Sequence, residues 1–235
     1  MKTPTTTARM AGVLYLILII TGIFGIMYVP SQIIVSGDTS ATANNILASP
    51  LFYKAGIVSA LACQTTFLLL VLVLYKLLKH VNPLHARAMV LFVGVAVPIA
   101  FINSLNEFAP LILLNDLNYV KAFSTEQVHA QIVVFRKFYN HGILVAQVFW
   151  GLWLFPLGYL AFKSGMFPKV LGVLLMMACF SYLIDFAVKN FLPDYMEITY
   201  PGNVISMVAE FGFTIYLLIK GVKTGSPDYR VSVSS

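Results

Sequence analysis

The sequence predicts an all-α polytopic membrane protein, a bundle of six transmembrane helices with short amphipathic helices in its outer loops, and three observations point there. The chain of 235 residues is 59% hydrophobic and only 10% charged, whereas soluble domains carry roughly 25% charged residues. Six apolar runs approach or exceed the roughly 20 residues that cross a hydrocarbon core about 30 Å thick. The connections between the runs alternate between basic and acidic character. Because the spans consume the length, the reading is one six-span domain over residues 1–223 followed by a flexible cytoplasmic tail over 224–235, "TGSPDYRVSVSS".

The first run, residues 10–29, follows Lys2 and Arg9. It is longer than a signal-peptide core of about 7 to 15 residues and has no small-residue cleavage site after it, so it is read as a span. In "GDTSATANNILAS", Asp38 or Thr39 can cap a short outer helix. The second run covers 54–78 and the third 88–114, the latter with Pro98 and Pro110 inside it. Next, "STEQVHAQIVVFRKF" places Gln127 three residues after Ser124, the spacing of a capping box, and predicts a helix able to run on into the fourth span at 140–162. The fifth and sixth runs cover 170–191 and 203–219. Pro98, Pro110 and Pro156 are expected kink positions, where freed carbonyls become available to neighbours.

The formal net charge is +6, yet the basic residues stand singly or in pairs beside apolar runs and form no block suited to nucleic acid. They read as topology signals. With both termini inside, ten bases (Lys2, Arg9, Lys76, Lys79, Arg87, Lys163, Lys169, Lys220, Lys223 and Arg230) face the cytoplasm against five outside (Lys54, Lys121, Arg136, Lys137 and Lys189). The positive-inside rule therefore favours an even number of spans with cytoplasmic N- and C-termini, and six satisfies it. The lipid bilayer is the one partner this establishes. Nothing in the sequence bears on oligomeric state.

Polar groups inside the runs are biased toward the outer side. Asp185 lies sixteen residues beyond Lys169, or roughly 24 Å at about 1.5 Å per residue, with Lys189 near the outer interface. Asn103 and Glu107 lie in the outer half of the third run, Arg136 and His141 at the outer end of the fourth, and Glu210 and Gln64 near mid-span. A carboxylate at the bilayer centre costs about 2.5–3.5 kcal/mol on insertion scales, so Glu107, Asp185 and Glu210 need partners or water. Asp185 and Lys189 have the favourable i,i+4 order, worth only about 0.2–0.5 kcal/mol when exposed, too little to offset that cost. A larger cross-helix network, or a pocket open to the outside, is the expectation. Its candidate residues are Glu107, Asn103, Arg136, His141, Asp185, Lys189, Glu210 and Gln64. The competing reading is a set of ion pairs and hydrogen bonds that only clasp the helices together.

Other chemistry finds little support. Cys63 and Cys179 fall inside runs without metal-ligand spacing and read as small apolar core residues. His80, His85 and His129 fall in loops or at surfaces, which argues against a two-histidine haem. No HExxH, CxxC, GxSxG or P-loop pattern occurs, so no cofactor and no metal is predicted. His141 beside Asn140 is the one residue that could join Glu107 and Asp185 in metal or proton chemistry.

Several stretches together resemble the domain-of-unknown-function 4386 family, a bacterial group of small integral membrane proteins: "ARMAGVLYLILIITGIFG", "GDTSATANNILASPLFYKAGIVSALA", "FWGLWLFPLGYLAFKSGMFPKVLGVLL" and "LIKGVK". The resemblance implies six spans and a bacterial inner (plasma) membrane location, and it supplies no reaction. The resemblance implies that many members carry Asp and His shortly before the glycine corresponding to Gly142. Here the local sequence is "FRKFYNHG", with Lys137 and Tyr139 near those positions, so no catalytic residue carries over. Three functional classes stay open: a membrane protein whose outward-facing polar pocket binds a small ligand or ion, with transport as one mechanism; a structural or partner-binding subunit; and an intramembrane metal-dependent or acid/base enzyme.

Overall fold

The computed structural model describes residues 3–115 and 121–223, so Asp116 and the 224–235 tail lie outside the described residues. Every element in that range is helical. In chain order they are α1 (Pro4–Gly22), a π-helical segment (Ile23–Tyr28), α2 (Val29–Ile33), α3 (Thr39–Ala48), α4 (Pro50–Leu78), α5 (Pro83–Asn103), α6 (Leu105–Asn115), α7 (Thr125–Leu152), α8 (Leu154–Lys163), α9 (Lys169–Phe191), a 3₁₀ segment (Pro193–Thr199) and α10 (Tyr200–Ile219). All of them but α3 join end to end into six spans long and apolar enough to cross a membrane: Pro4–Ile33, Pro50–Leu78, Pro83–Asn115, Thr125–Lys163, Lys169–Phe191 and Pro193–Ile219.

Local sequence explains where the helices start. Thr3 caps α1, its hydroxyl accepting from the Thr6 amide at 3.3 Å, and Pro4 takes the first helical position, where its missing N–H costs nothing. The first span thus begins six residues before the apolar run that marks it. Asn82 caps α5 by accepting from the Leu84 and His85 amides at 3.0 and 3.1 Å, again ahead of a proline. Asp38 caps α3, accepting from Ala41 N–H at 2.8 Å. The Ser124/Gln127 capping box closes in both directions, at 2.9 and 3.3 Å, and α7 runs unbroken from it into the fourth span.

Breaks fall near prolines. A π-turn closes before Pro30, with Val29 N–H bonded to Phe24 O. The third span is interrupted at Ser104, between Pro98 and Pro110, where the Ser104 amide is shared between Ala100 O (3.0 Å) and Phe101 O (3.2 Å). The fourth is interrupted at Trp153, one turn before Pro156, which has no N–H to offer the preceding turn.

Contacts divide the chain into two compact units. The first comprises the described residues of Met1–Leu16, Thr66–Val97 and Ala146–Ser235; the second comprises Ile17–Thr65 and Pro98–Val145. Within the first unit α9 packs along both α8 and α10. The α8–α9 crossing depends on two facing glycines: a Cβ on Gly158 would stand 2.6 Å from Gly172 O, and one on Gly172 would stand 2.7 Å from Gly158 O. Within the second unit Val29, Ile33, Ile46, Tyr53, Ile57 and Leu111 form one apolar cluster, and Ala43, Leu113, Val128 and Ile132 form another.

Many large apolar side chains along the spans are exposed, Ile20, Leu91 and Ile102 being 57%, 63% and 68% accessible, while Gln64, Asn103, Glu107, Gln147 and Asp185 are buried. That arrangement suits a hydrocarbon surrounding, in which polar groups turn inward.

Candidate functional site

Five of the eight candidate residues (Gln64, Asn103, Glu107, Arg136 and His141) belong to the second unit. Asp185, Lys189 and Glu210 belong to the first.

The second unit holds an ion pair, with Glu107 Oε2 and Arg136 Nε buried without a hydrogen-bond partner. The break at Ser104 starts α6 afresh, so Glu107 lies in its first turn and is 2% exposed. Arg136 of α7 donates from Nη1 to Glu107 Oε1 at 3.1 Å. The Tyr53 hydroxyl donates to the Glu107 carbonyl at 3.0 Å, the Tyr139 hydroxyl lies close to the carboxylate, and the Arg136 guanidinium stacks 4.9 Å from the Tyr139 ring centre. Asn103 donates to Tyr139 O at 2.9 Å and is wedged against Gly142, where any Cβ would overlap its amide. The lysine neighbouring Arg136 takes no part, since one residue along a helix turns a side chain about 100° away; Lys137 is exposed. His141 is exposed too, and its Nδ1 lies 2.8 Å from Lys137 O, one turn back on its own helix. Gln64 is buried, its Oε1 without a hydrogen-bond partner.

A longer chain of polar contacts occupies the first unit. Glu210 of α10, half-buried, accepts from the Tyr15 hydroxyl of α1 at 2.8 Å through Oε2 and from the Tyr182 hydroxyl of α9 at 2.9 Å through Oε1. No ion pair reaches it among the described residues; the carboxylate is held by neutral donors from two other helices. One turn along α9, Asp185 receives Gln147 Nε2 and Lys189 Nζ on the same oxygen, Oδ2, each at 2.6 Å. Its other oxygen, Oδ1, is buried without a hydrogen-bond partner. Gln147 also donates to Tyr182 O at 3.3 Å. The order is therefore Tyr15, Glu210, Tyr182, Gln147, Asp185, Lys189, contributed by α1, α7, α9 and α10 and ending at a lysine side chain 35% exposed.

Tyr15, Tyr182 and Gln147 are absent from the sequence-derived candidates. The available signal was tyrosine at mid-span: tyrosines concentrate at membrane interfaces, and a buried hydroxyl needs an acceptor. Among the described residues no three of His, Cys, Asp and Glu gather as metal ligands. His85 stacks on Tyr159 at 4.0 Å and His129 lies 3.0 Å from Ser40 Oγ.

Six membrane-length helices with polar side chains turned inward define a multi-pass helical membrane protein. The chain belongs to the family described as Domain of unknown function (DUF4386), whose profile matches residues 10–221. An uncharacterized protein of the archaeon Archaeoglobus fulgidus is 38% identical over 76 residues, 32% of this chain. The match spans 44% of that relative's length. No solved structure matches.

Proposed function

We infer that this protein sits in a prokaryotic plasma membrane with both termini in the cytoplasm and binds a small cation, H⁺ included, at the carboxylates of Glu210 and Asp185. The observation that carries this reading is the Glu210 environment. Two tyrosine hydroxyls donate to its two oxygens, so its negative charge is solvated by the protein and left without a cationic partner among the described residues. A carboxylate with no countercharge attracts positive charge more strongly than Glu107, which Arg136 already pairs. Asp185 adds a second carboxylate, linked to Glu210 through Tyr182 and Gln147, whose Oδ1 is buried without a hydrogen-bond partner, and Lys189 at the exposed end of the chain provides a charge that an arriving cation could displace from Asp185. Transport would follow if the two acids were loaded from opposite sides.

The Glu107–Arg136 centre supports the second reading, a structural clasp, for the other unit. Glu107 already has its countercharge in Arg136, although Glu107 Oε2 and Arg136 Nε are buried without a hydrogen-bond partner, and the pair is read as architecture.

The test is thermal unfolding of the purified protein in uncharged detergent at constant ionic strength, with Li⁺, Na⁺ and K⁺ exchanged for one another and pH stepped separately. A ligand that binds only the folded state stabilises it by about 2.7 kcal/mol at a hundred times its Kd. One cation should raise Tm in a saturable manner, and Glu210→Gln should remove that rise while Glu107→Gln retains it. Equal responses in wild type and Glu210→Gln, or no response at all, would overturn the reading.

A further inference from the structure

An open groove between α1 and α4, within the first unit, encloses about 400 Å³. Met10 and Leu14 line one wall, Leu69 and Leu72 the other, and Thr7 and Lys76 stand at one end. Consecutive spans run in opposite directions, so Thr7 near the start of α1 lies level with Lys76 near the end of α4, and Leu14 lies level with Leu69. Each wall covers seven residue steps, roughly 10 Å of helix. Leu69 and Leu72 are 51% and 54% accessible, so the groove opens on the surface that faces hydrocarbon. In that surrounding water does not fill an apolar groove; a hydrocarbon chain does.

The polar end identifies which lipid. Lys76 is exposed and makes no ion pair or hydrogen bond among the described residues, while the Thr7 hydroxyl donates to Thr3 O at 3.2 Å. The first 106 residues contain a single acid, Asp38, which belongs to the other unit. The groove thus presents an apolar trough capped by the positive charge of Lys76, with no acid on either wall. Lys76 is two residues from the end of α4, at the depth where a lysine reaches the headgroup layer.

We propose that this groove is a binding site for one anionic phospholipid, its hydrocarbon chain lying along Met10, Leu14, Leu69 and Leu72 and its phosphate headgroup pairing with Lys76. The proposal is independent of the cation site.

Native mass spectrometry of the full-length protein, released from mixed micelles containing equal phosphatidylglycerol and phosphatidylcholine of matched chains, tests it. One phosphatidylglycerol should be retained about fivefold over phosphatidylcholine, the factor that one cation near an anionic headgroup contributes. Lys76→Gln should abolish that preference with Tm unchanged, since the side chain is exposed; Lys79→Gln should keep it. Leu72→Trp, which fills the groove, should lower retention of both lipids. Equal retention of the two lipids by the wild type, a Lys76→Gln profile that matches wild type, or a lipid-free dimer held together by this face would each overturn the proposal.

Discussion

Glu107, Asp185 and Glu210 meet the cost of an acid among apolar helices in three different ways. Glu107 has a full countercharge, 3.1 Å away. Removing one member of such a buried pair strands the other, at about 3–5 kcal/mol, whereas replacing both is often neutral. Arg136→Met should therefore destabilise by about that amount, and Glu107→Gln added to it should recover most of the loss, read as Tm in a double-mutant cycle. Asp185 has a half-exposed lysine and a buried amide on one oxygen. If it serves as a site, Asp185→Asn should accumulate normally and lose cation response; failure to accumulate, rescued by Lys189→Met, would instead mark a clasp. Sequence alone placed all three acids at depth, and it identified the Asp185–Lys189 pair because i,i+4 geometry is local. Lys137, an outer base next to Arg136 in sequence, points away from the helix face that Arg136 presents, and Glu210 is served by tyrosines. Which residues of different helices meet depends on helix rotation, and no local spacing encodes that.

At the scale of elements, the caps and prolines set the boundaries. Asp38 and the Ser124/Gln127 box were legible because capping is a contact between near neighbours in sequence; Asp38→Ala should cost about 0.5–2 kcal/mol, measurable by thermal unfolding. The start of α1 at Pro4 was missed because hydropathy sees apolar runs, and "TPTTTAR" is a polar first turn, although Thr-Pro at cap and first position does announce a helix. Kinks were expected at Pro98, Pro110 and Pro156, and helix breaks lie at Ser104, between the first two, and at Trp153, one turn before the third; the π-segment ahead of Pro30 was not foreseen. The Gly158–Gly172 crossing predicts that Gly172→Leu will force α8 and α9 apart. Overpacking of this kind costs about 1–3 kcal/mol or more, and the expected readout is a lowered Tm, with Gly94→Leu as the control because nothing lies near a Cβ there.

For the whole molecule, six spans were readable because bilayer thickness imposes a length that composition reveals directly. The division into two compact units was not, since its boundaries fall inside continuous helices, as at Leu16/Ile17 in α1 and Val145/Ala146 in α7, where neither composition nor turn chemistry changes. Orientation rests on the basic connections. With the buried Cys63 and Cys179 replaced by Ala, single cysteines at Lys79 and Lys163 should react with a membrane-impermeant maleimide only after the cells are opened, and one at Asn44 should react in intact cells. The reverse pattern would invert the topology and place Lys76 in the opposite leaflet.

The π-turn at Ile23–Tyr28 means that the first span carries one amino acid more than a regular helix of the same rise would hold. Excising Met27, 65% accessible, should let the turn relax to ordinary α geometry while both flanks keep their faces. Excising Val13, which is also well exposed but lies in regular helix, should instead swing everything before it by about 100° and pull Gly12 off its seat against Leu218. A single-codon deletion that this chain absorbs at position 27 and rejects at position 13, scored by monodisperse elution and melting temperature, would identify the bulge as an insertion that the fold has learned to accommodate.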